Sequence, residues 1–363
     1  MKERHGYLDI LKFVAITFVC FYHFSMMGDV SYAENMPFDV LFRRFIFNTA
    51  SSCVPLFFMV NGALLLNKSC DLMSHAKKTL LLLMQFFLWR IITVALIEGY
   101  KGNGLLDHGI EALFNFILLT DYFPEYSLTL YWFLQTLLAL YLIFPFLKNA
   151  YDPLIAEPKK ISALHILLLA IFVFWFLTND LRTLLQHIGL GGIHVTRLRA
   201  LLPFSGLLNP MLFYFILGGL LQHAITRIKK TPLVYWVIAY CVGLALLMGE
   251  WMAESAYSHA TFDAVFEGYA TLPCLMMTLS LYAIAAKIKL SPRAASFFHV
   301  MGRNTLAVYF LHAIFGHTVL TRIQELVPQR GIFVNTVKAL LMVFAFSGVG
   351  ELLRRLPIVK KLV

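Results

Sequence analysis

Charged side chains are scarce in this 363-residue chain: Asp, Glu, Lys and Arg make up 14% of it, against 60% apolar side chains. An ordinary soluble domain carries about 25% charged residues, so the polar shell of a soluble enzyme is missing and that class is excluded. Cysteine is thin as well. Its five residues show no CxxC spacing, which excludes a disulfide-stapled secreted scaffold. Cys20, Cys53, Cys241 and Cys274 fall inside apolar runs and read as small apolar side chains, while Cys70 falls in a short loop. Acids are fewer than bases, 20 against 30, but the basic excess is scattered through short inter-helix segments. That excludes a nucleic-acid-binding module and makes anionic lipid headgroups the expected counter-charge. Metal-ligand patterns are absent too, with no HExxH and no Cys/His cluster.

What the chain does have is long apolar runs. A helix needs about 20 apolar residues to cross about 30 Å of hydrocarbon. Ten runs qualify, near 7–27, 45–66, 79–97, 128–147, 161–178, 208–224, 232–249, 267–286, 298–319 and 331–352. The expected fold is therefore an all-α polytopic membrane protein with about ten spans in a single domain over 1–363, and no appended soluble domain. The first run is too long for a cleaved signal peptide and reads as a retained helix. The stretch 110–119 is too short to cross and reads as an interfacial or re-entrant helix. Loops after even-numbered runs hold Lys68, Lys77, Lys78, Lys148, Lys159, Lys160, Arg227, Lys229, Lys230, Lys287, Lys289 and Arg293. The two tails add Lys2, Arg4, Arg354, Arg355, Lys360 and Lys361. Far fewer bases fall on the other side, so the positive-inside rule expects both termini in the cytoplasm. The longest non-spanning stretches, 98–127 and 179–207, fall outside, and the second carries Arg182, His187, His194, Arg197 and Arg199.

Ionisable residues inside a membrane helix are costly and mark functional sites by default. Lys12 and His23 share the first run. Eleven residues give about 16.5 Å of rise and return the helix to within about 20° of its starting direction, so both lie on one stripe. A cation near the cytoplasm with an imidazole deeper in suits acyl-coenzyme A, whose anionic end and thioester are joined by a long thin arm. Lys12 would hold the anionic end, and His23 would act at the thioester as general base for an acceptor hydroxyl. The structural alternatives are a snorkelling lysine and a histidine hydrogen-bonded between helices.

These residues also resemble a known family. Leu8-Asp9-Ile10-Leu11-Lys12, ten residues, then His23 is similar to the opening signature of bacterial acyltransferase family 3, integral-membrane O-acyltransferases of surface glycans. Pro55-Leu56-Phe57-Phe58-Met59-Val60-Asn61-Gly62 resembles the second-helix motif. Tyr131-Trp132-Phe133-Leu134 with Tyr141-Leu142-Ile143-Phe144-Pro145 resembles the fourth. Gly302-Arg303-Asn304-Thr305 with Tyr309-Phe310-Leu311-His312 resembles the late helix. The blocks come in family order across nearly the whole chain. The resemblance implies ten helices, an acetyl-CoA or other acyl-CoA donor on the cytoplasmic side, and a glycan or lipid-linked saccharide acceptor on the outer side. It further implies a bacterial inner-membrane location among glycan-assembly enzymes. Lys12 stands where Arg is commoner and Asn61 where Ser is usual, and a paired-arginine pattern appears only as Lys77-Lys78.

Other intramembrane polar residues complete the expected site. Arg90, midway along the third run, is assigned to the donor. His312, Trp132, Asn61 and Tyr309 are assigned to the acceptor side or to its support. Arg303, nine residues before His312, points to the opposite face of a straight helix. Leu217-Gly218-Gly219 is expected to be a close-packing contact, and His165 to be structural. The leading reading is an O-acetyltransferase in which His23 serves as base or as transient acyl carrier. The alternatives are a glycan-intermediate transporter or flippase, for which no repeated halves are found, and a succinyl or other acyl transferase.

Overall fold

The computed structural model describes residues 5–24, 41, 44–45, 47–118, 122–124, 126–157, 161–258, 267–320, 331–357 and 360. Among these the regular structure is almost wholly helical. In chain order the helices are α1 (Gly6–Phe24), α2 (Cys53–Leu65), α3 (Leu72–Lys101), α4 (Ile110–Ile117), α5 (Trp132–Ala156), α6 (Ala163–Ile171) and α7 (Thr178–His187). They continue with α8 (Leu208–His223), α9 (Ile225–Lys230), α10 (Leu233–Ser258), α11 (Leu272–Lys287), α12 (Pro292–Arg303), α13 (Thr305–Gly316) and α14 (Gly331–Leu353). A two-residue hairpin pairs Tyr122–Phe123 with Tyr126–Ser127.

Among the described residues, six helical stretches are long and apolar enough to cross a membrane, and three shorter apolar helices accompany them. Large apolar side chains point outward along several of them, including Leu80, Met84 and Leu96 of α3 and Val234, Ile238, Val242 and Leu246 of α10. Contiguous exposed apolar surface of this kind is stable only where lipid replaces water. The chain is a helical polytopic membrane protein.

Each expected run contains a helix, but several ends move. The third runs from 72 to 101 rather than from 79 to 97. Asp71 caps its first turn through Ser74 N (2.9 Å), and Gly102 ends it with a left-handed φ of 86°. Those caps let polar residues extend the helix past the apolar stretch. The hydrogen bonds from Ser74 also hold the Asp71 carboxyl below the usual carboxylate range. The run at 161–178 does not stop there. It passes through a π-helical segment, Phe172–Leu177, into α7, so Arg182 and His187 stand on a helix and the outer loop is shorter than expected. The run at 232–249 continues to Ser258. The run at 298–319 is broken at Asn304 into α12 and α13, so the opposed faces expected for Arg303 and His312 on one straight helix do not apply. The short helix at 110–117 is where it was expected.

The single domain expected from sequence sorts into two compact units, each discontinuous in sequence: residues 1–69 with 146–302, and residues 70–145 with 303–363. In the first, α1 packs on α2 and α11, and α2 packs on α8. The α2–α8 contact is backbone to backbone. A β-carbon on Gly62 would lie 1.7 Å from the Phe215 carbonyl oxygen, and one on Gly218 would lie 1.9 Å from that of Met59. Small residues thus let the helices touch, as expected for Gly218 and Gly219. In the second unit α13 packs on α3 and α14, with Trp89 stacked on Phe310 at 4.5 Å. His165 is structural, capping α6 together with Ser162.

Because backbone cannot yield as a side chain can, Gly62→Ala or Gly218→Ala forces the helices apart. Each should cost about 1–3 kcal/mol, read as a lowered thermal unfolding midpoint in detergent. Gly99→Ala, where a β-carbon meets nothing within 4 Å, should not lower the midpoint, since alanine is the better helix former.

Candidate functional site

α1 is unbroken from Gly6 to Phe24, so Lys12 and His23 do share one helix and one stripe. Ile16 and Val19 fall between them on that stripe and are buried, so the stripe faces protein. The interval is not an open channel, and a donor arm following it would have to part the side chains covering those two residues. Lys12 Nζ lies 3.7 Å from Asp9 Oδ1 one turn earlier, with the Lys12 side chain 24% exposed. Asp9 is buried against Gly302, where an added β-carbon would approach its carboxylate to 2.9 Å. A carboxylate three residues before a cation on a helix is a local partner by spacing, and that signal alone identifies Asp9. His23 is half-buried, its ring 4.9 Å from Tyr22. Asn61 of α2 donates to the Phe57 carbonyl (2.9 Å). Lys12, His23 and Asn61 belong to the first unit.

Arg90, Trp132, Tyr309 and His312 belong to the second. Arg90 is fully buried. Its guanidinium donates from Nε (3.0 Å) and Nη2 to the Phe116 carbonyl at the end of α4, and lies against the rings of Phe116 at 4.1 Å and Tyr131 at 4.9 Å. That environment fastens a short helix to α3. The sequence assigned Arg90 to the donor; in the structure a carbonyl at the C-terminal end of α4 and aromatic faces meet its charge. Tyr309 donates to the Leu130 carbonyl (2.5 Å) in the 3-10 turn that leads into α5. It thereby positions the half-buried Trp132, which opens that helix. His312 is buried, with Nδ1 3.2 Å from the Val308 carbonyl and its ring 5.7 Å from Tyr309. Lys77 and Lys78 are exposed on the second turn of α3. Arg303 pairs with Glu351 in two hydrogen bonds, and Asn304 also donates to Glu351 (3.2 Å), so the break between α12 and α13 is tied to α14.

Sequence reasoning picked out Arg182 and Arg199 in the 179–207 stretch and assigned it to the acceptor side, but missed the acids they meet in the first unit. Asp180 Oδ2 accepts from Leu272 N at the start of α11 (3.0 Å). Arg182 pairs with Glu254 of α10 at 3.3 Å, and Glu250 feels the charges of Asp180, Arg182 and Glu254. Arg199 donates to Asn179 Oδ1 (2.7 Å) and lies 4.5 Å from the Trp175 ring. Burial and the nearby Arg182 charge push its pKa down to about 10. The available signal was Glu250 and Glu254, four apart and so on one helical face. It was hidden because the helix carrying them outlasts its apolar run.

The family profile described as an acyltransferase domain, acyltransferase 3, matches residues 5–350. No curated protein and no solved structure matches the chain. The profile crosses both compact units, so they are parts of one family domain.

If Arg90 serves to anchor α4, Arg90→Leu should cost about 1.5–3 kcal/mol, the worth of a hydrogen bond to a charged group, and lower the thermal midpoint in detergent. An unchanged midpoint, combined with a raised donor KM, would restore the donor-binding role.

Proposed function

Since the chain belongs to acyltransferase family 3, we propose that it is an O-acetyltransferase of a bacterial inner membrane, moving acetyl from cytoplasmic acetyl-CoA to a hydroxyl of a surface or periplasmic glycan. The observation that carries this reading is α1 itself, a continuous helix with an ammonium and an imidazole on one protein-facing stripe. Lys12, held by Asp9, meets the anionic end of the donor. The pantetheine arm parts the side chains that cover Ile16 and Val19 and brings the thioester toward His23.

In one form of the reaction, the His23 imidazole takes the proton of the acceptor hydroxyl as that oxygen attacks the thioester carbonyl. The C–S bond then breaks, and the imidazolium returns the proton to the departing thiolate. In the other, the imidazole attacks the thioester carbonyl and expels the coenzyme A thiolate, which takes the imidazole proton; the acceptor hydroxyl then attacks the acyl-imidazole, and the departing imidazole takes the hydroxyl proton. Asn61 supports α2 beside α1, and in the second unit Tyr309 holds Trp132 in place.

His23→Ala should lower acetyl incorporation by about 100-fold to 10,000-fold, the worth of a general base, and Lys12→Ala should raise the acetyl-CoA KM. Both are read with purified, folded protein and radiolabelled acetyl-CoA. Undiminished incorporation by His23→Ala would remove the assignment of the base. Label recovered on the wild-type protein after an acceptor-free pulse, and lost in His23→Ala, selects the carrier form.

Sidedness has its own test. The basic loops place the exposed Cys70, which follows α2, in the cytoplasm. A membrane-impermeant maleimide should therefore label it only after the cells are opened. Labelling of intact cells at Cys70 would invert the topology.

A further inference from the structure

The charged cluster joining α7, α10 and the 3-10 turn Val195–Leu201 is used by neither the donor nor the base. Three of its buried oxygens, Asp180 Oδ1, Gln186 Oε1 and Glu254 Oε2, have no hydrogen-bond partner among the described residues, and neither do two of its nitrogens, Arg182 Nε and Arg199 Nε. Native proteins leave few buried polar atoms unsatisfied, so five in one cluster are notable. Glu254 is only 8% exposed. One of its oxygens is engaged by Arg182 and the other is left over, a combination that costs free energy unless a ligand completes it.

The composition of the vacant atoms indicates the ligand. Phosphate or a carboxylate would meet Arg182 and Arg199 but also the charges of Asp180 and Glu254. A metal or amine cation would face two guanidinium groups. A neutral group that both donates and accepts satisfies all five atoms, since each hydroxyl offers one donor and two acceptor positions. We propose that this cluster binds the sugar ring of the acceptor: Asp180, Gln186 and Glu254 accept from its hydroxyls, and Arg182 and Arg199 donate to them. Trp175 sets the plane of the Arg199 guanidinium from within the π-helical turn, a feature frequent at functional sites.

Position supports this role. Tyr7 near the start of α1 meets Tyr282 near the end of α11, hydroxyl to hydroxyl at 3.2 Å, so the two helices run antiparallel. The far end of α1, where His23 stands, therefore lies at the same end of the first unit as Leu272, whose amide Asp180 holds. Two further contacts mark that end: Tyr22 against Phe47 at 5.3 Å and Cys274 Sγ donating to the Ser51 carbonyl at 3.4 Å. A sugar bound at the cluster sits on the His23 side of the unit, where its hydroxyl is needed. This assignment rests on the acetyltransferase reading for its purpose but not for its test.

The test is direct binding to the purified full chain in detergent, by saturation-transfer NMR with methyl glycosides of glucose, galactose, mannose, rhamnose and N-acetylglucosamine. At least one should bind to the wild type and to His23→Ala alike. Glu254→Gln and Arg199→Ala should each weaken it by about tenfold, as expected for one lost hydrogen bond to a charged group, with circular dichroism showing the fold retained. Inorganic phosphate in excess should not displace the glycoside. Failure of every glycoside to bind, binding that both variants leave intact, or displacement by phosphate would each overturn the proposal. Glycoside binding by a wild-type protein that never turns over acetyl-CoA would overturn the transferase reading and leave the sugar site standing.

Discussion

Hydrocarbon cannot hydrogen-bond, and that constraint organises this protein. Every charge carried into the helical body must bring its own solvation, because an unpaired ion in the bilayer interior is among the most costly features a helix can carry. The chain meets this demand locally. Lys12 leans on Asp9 one turn away. Arg90 is solvated by a carbonyl and two rings. Lys148 donates to the Leu66 carbonyl (2.8 Å) and to Asp152. Arg303 and Glu351 pair across the break at Asn304. For Arg90, Lys148 and Arg303 a partner also fastens one element to another, so the solvation of charge and the positioning of helices are there one device.

The same constraint shapes the backbone. With lipid tails as apolar as the side chains, helices gain little from hiding apolar surface and associate through close contact instead. Gly62 and Gly218 bring α2 and α8 within reach of each other's carbonyls. Where the helices are irregular, at the π segment of 172–177 and at Asn304, side chains satisfy the displaced groups. Thr178 donates back to the Phe174 carbonyl (2.8 Å), and Arg354 donates to the Arg303 carbonyl (2.7 Å). The π segment presents Trp175 to Arg199 and leads into the helix bearing Asp180 and Arg182.

Much of this was legible in the chain before any coordinates. Apolar runs located the helices because length and composition alone decide what can cross a bilayer. The eleven-residue interval from Lys12 to His23 gave their shared stripe, because helical geometry repeats without regard to neighbours. The ordered blocks pointed to the acyltransferase family that the match over residues 5–350 shows. Asp9 was within reach of the same reasoning, being three residues from Lys12.

What composition could not give was anything set by a distant partner. Helix ends moved wherever a cap or a tertiary contact outweighed hydropathy, at Asp71, through α7 and at Ser258. Arg90 was assigned to the donor without sight of its contact to the Phe116 carbonyl, a backbone group 26 residues away that has no signature in sequence. The charges around Glu254 looked like loop and interface residues until α7, α10 and the 195–201 turn brought them together. The sequence by itself determined which segments are helices, which residues of α1 share a stripe, and which family the blocks resemble, because each follows from local periodicity and order. Only the tertiary structure decided which charges meet, since pairing across elements depends on how helices pack and not on spacing along the chain.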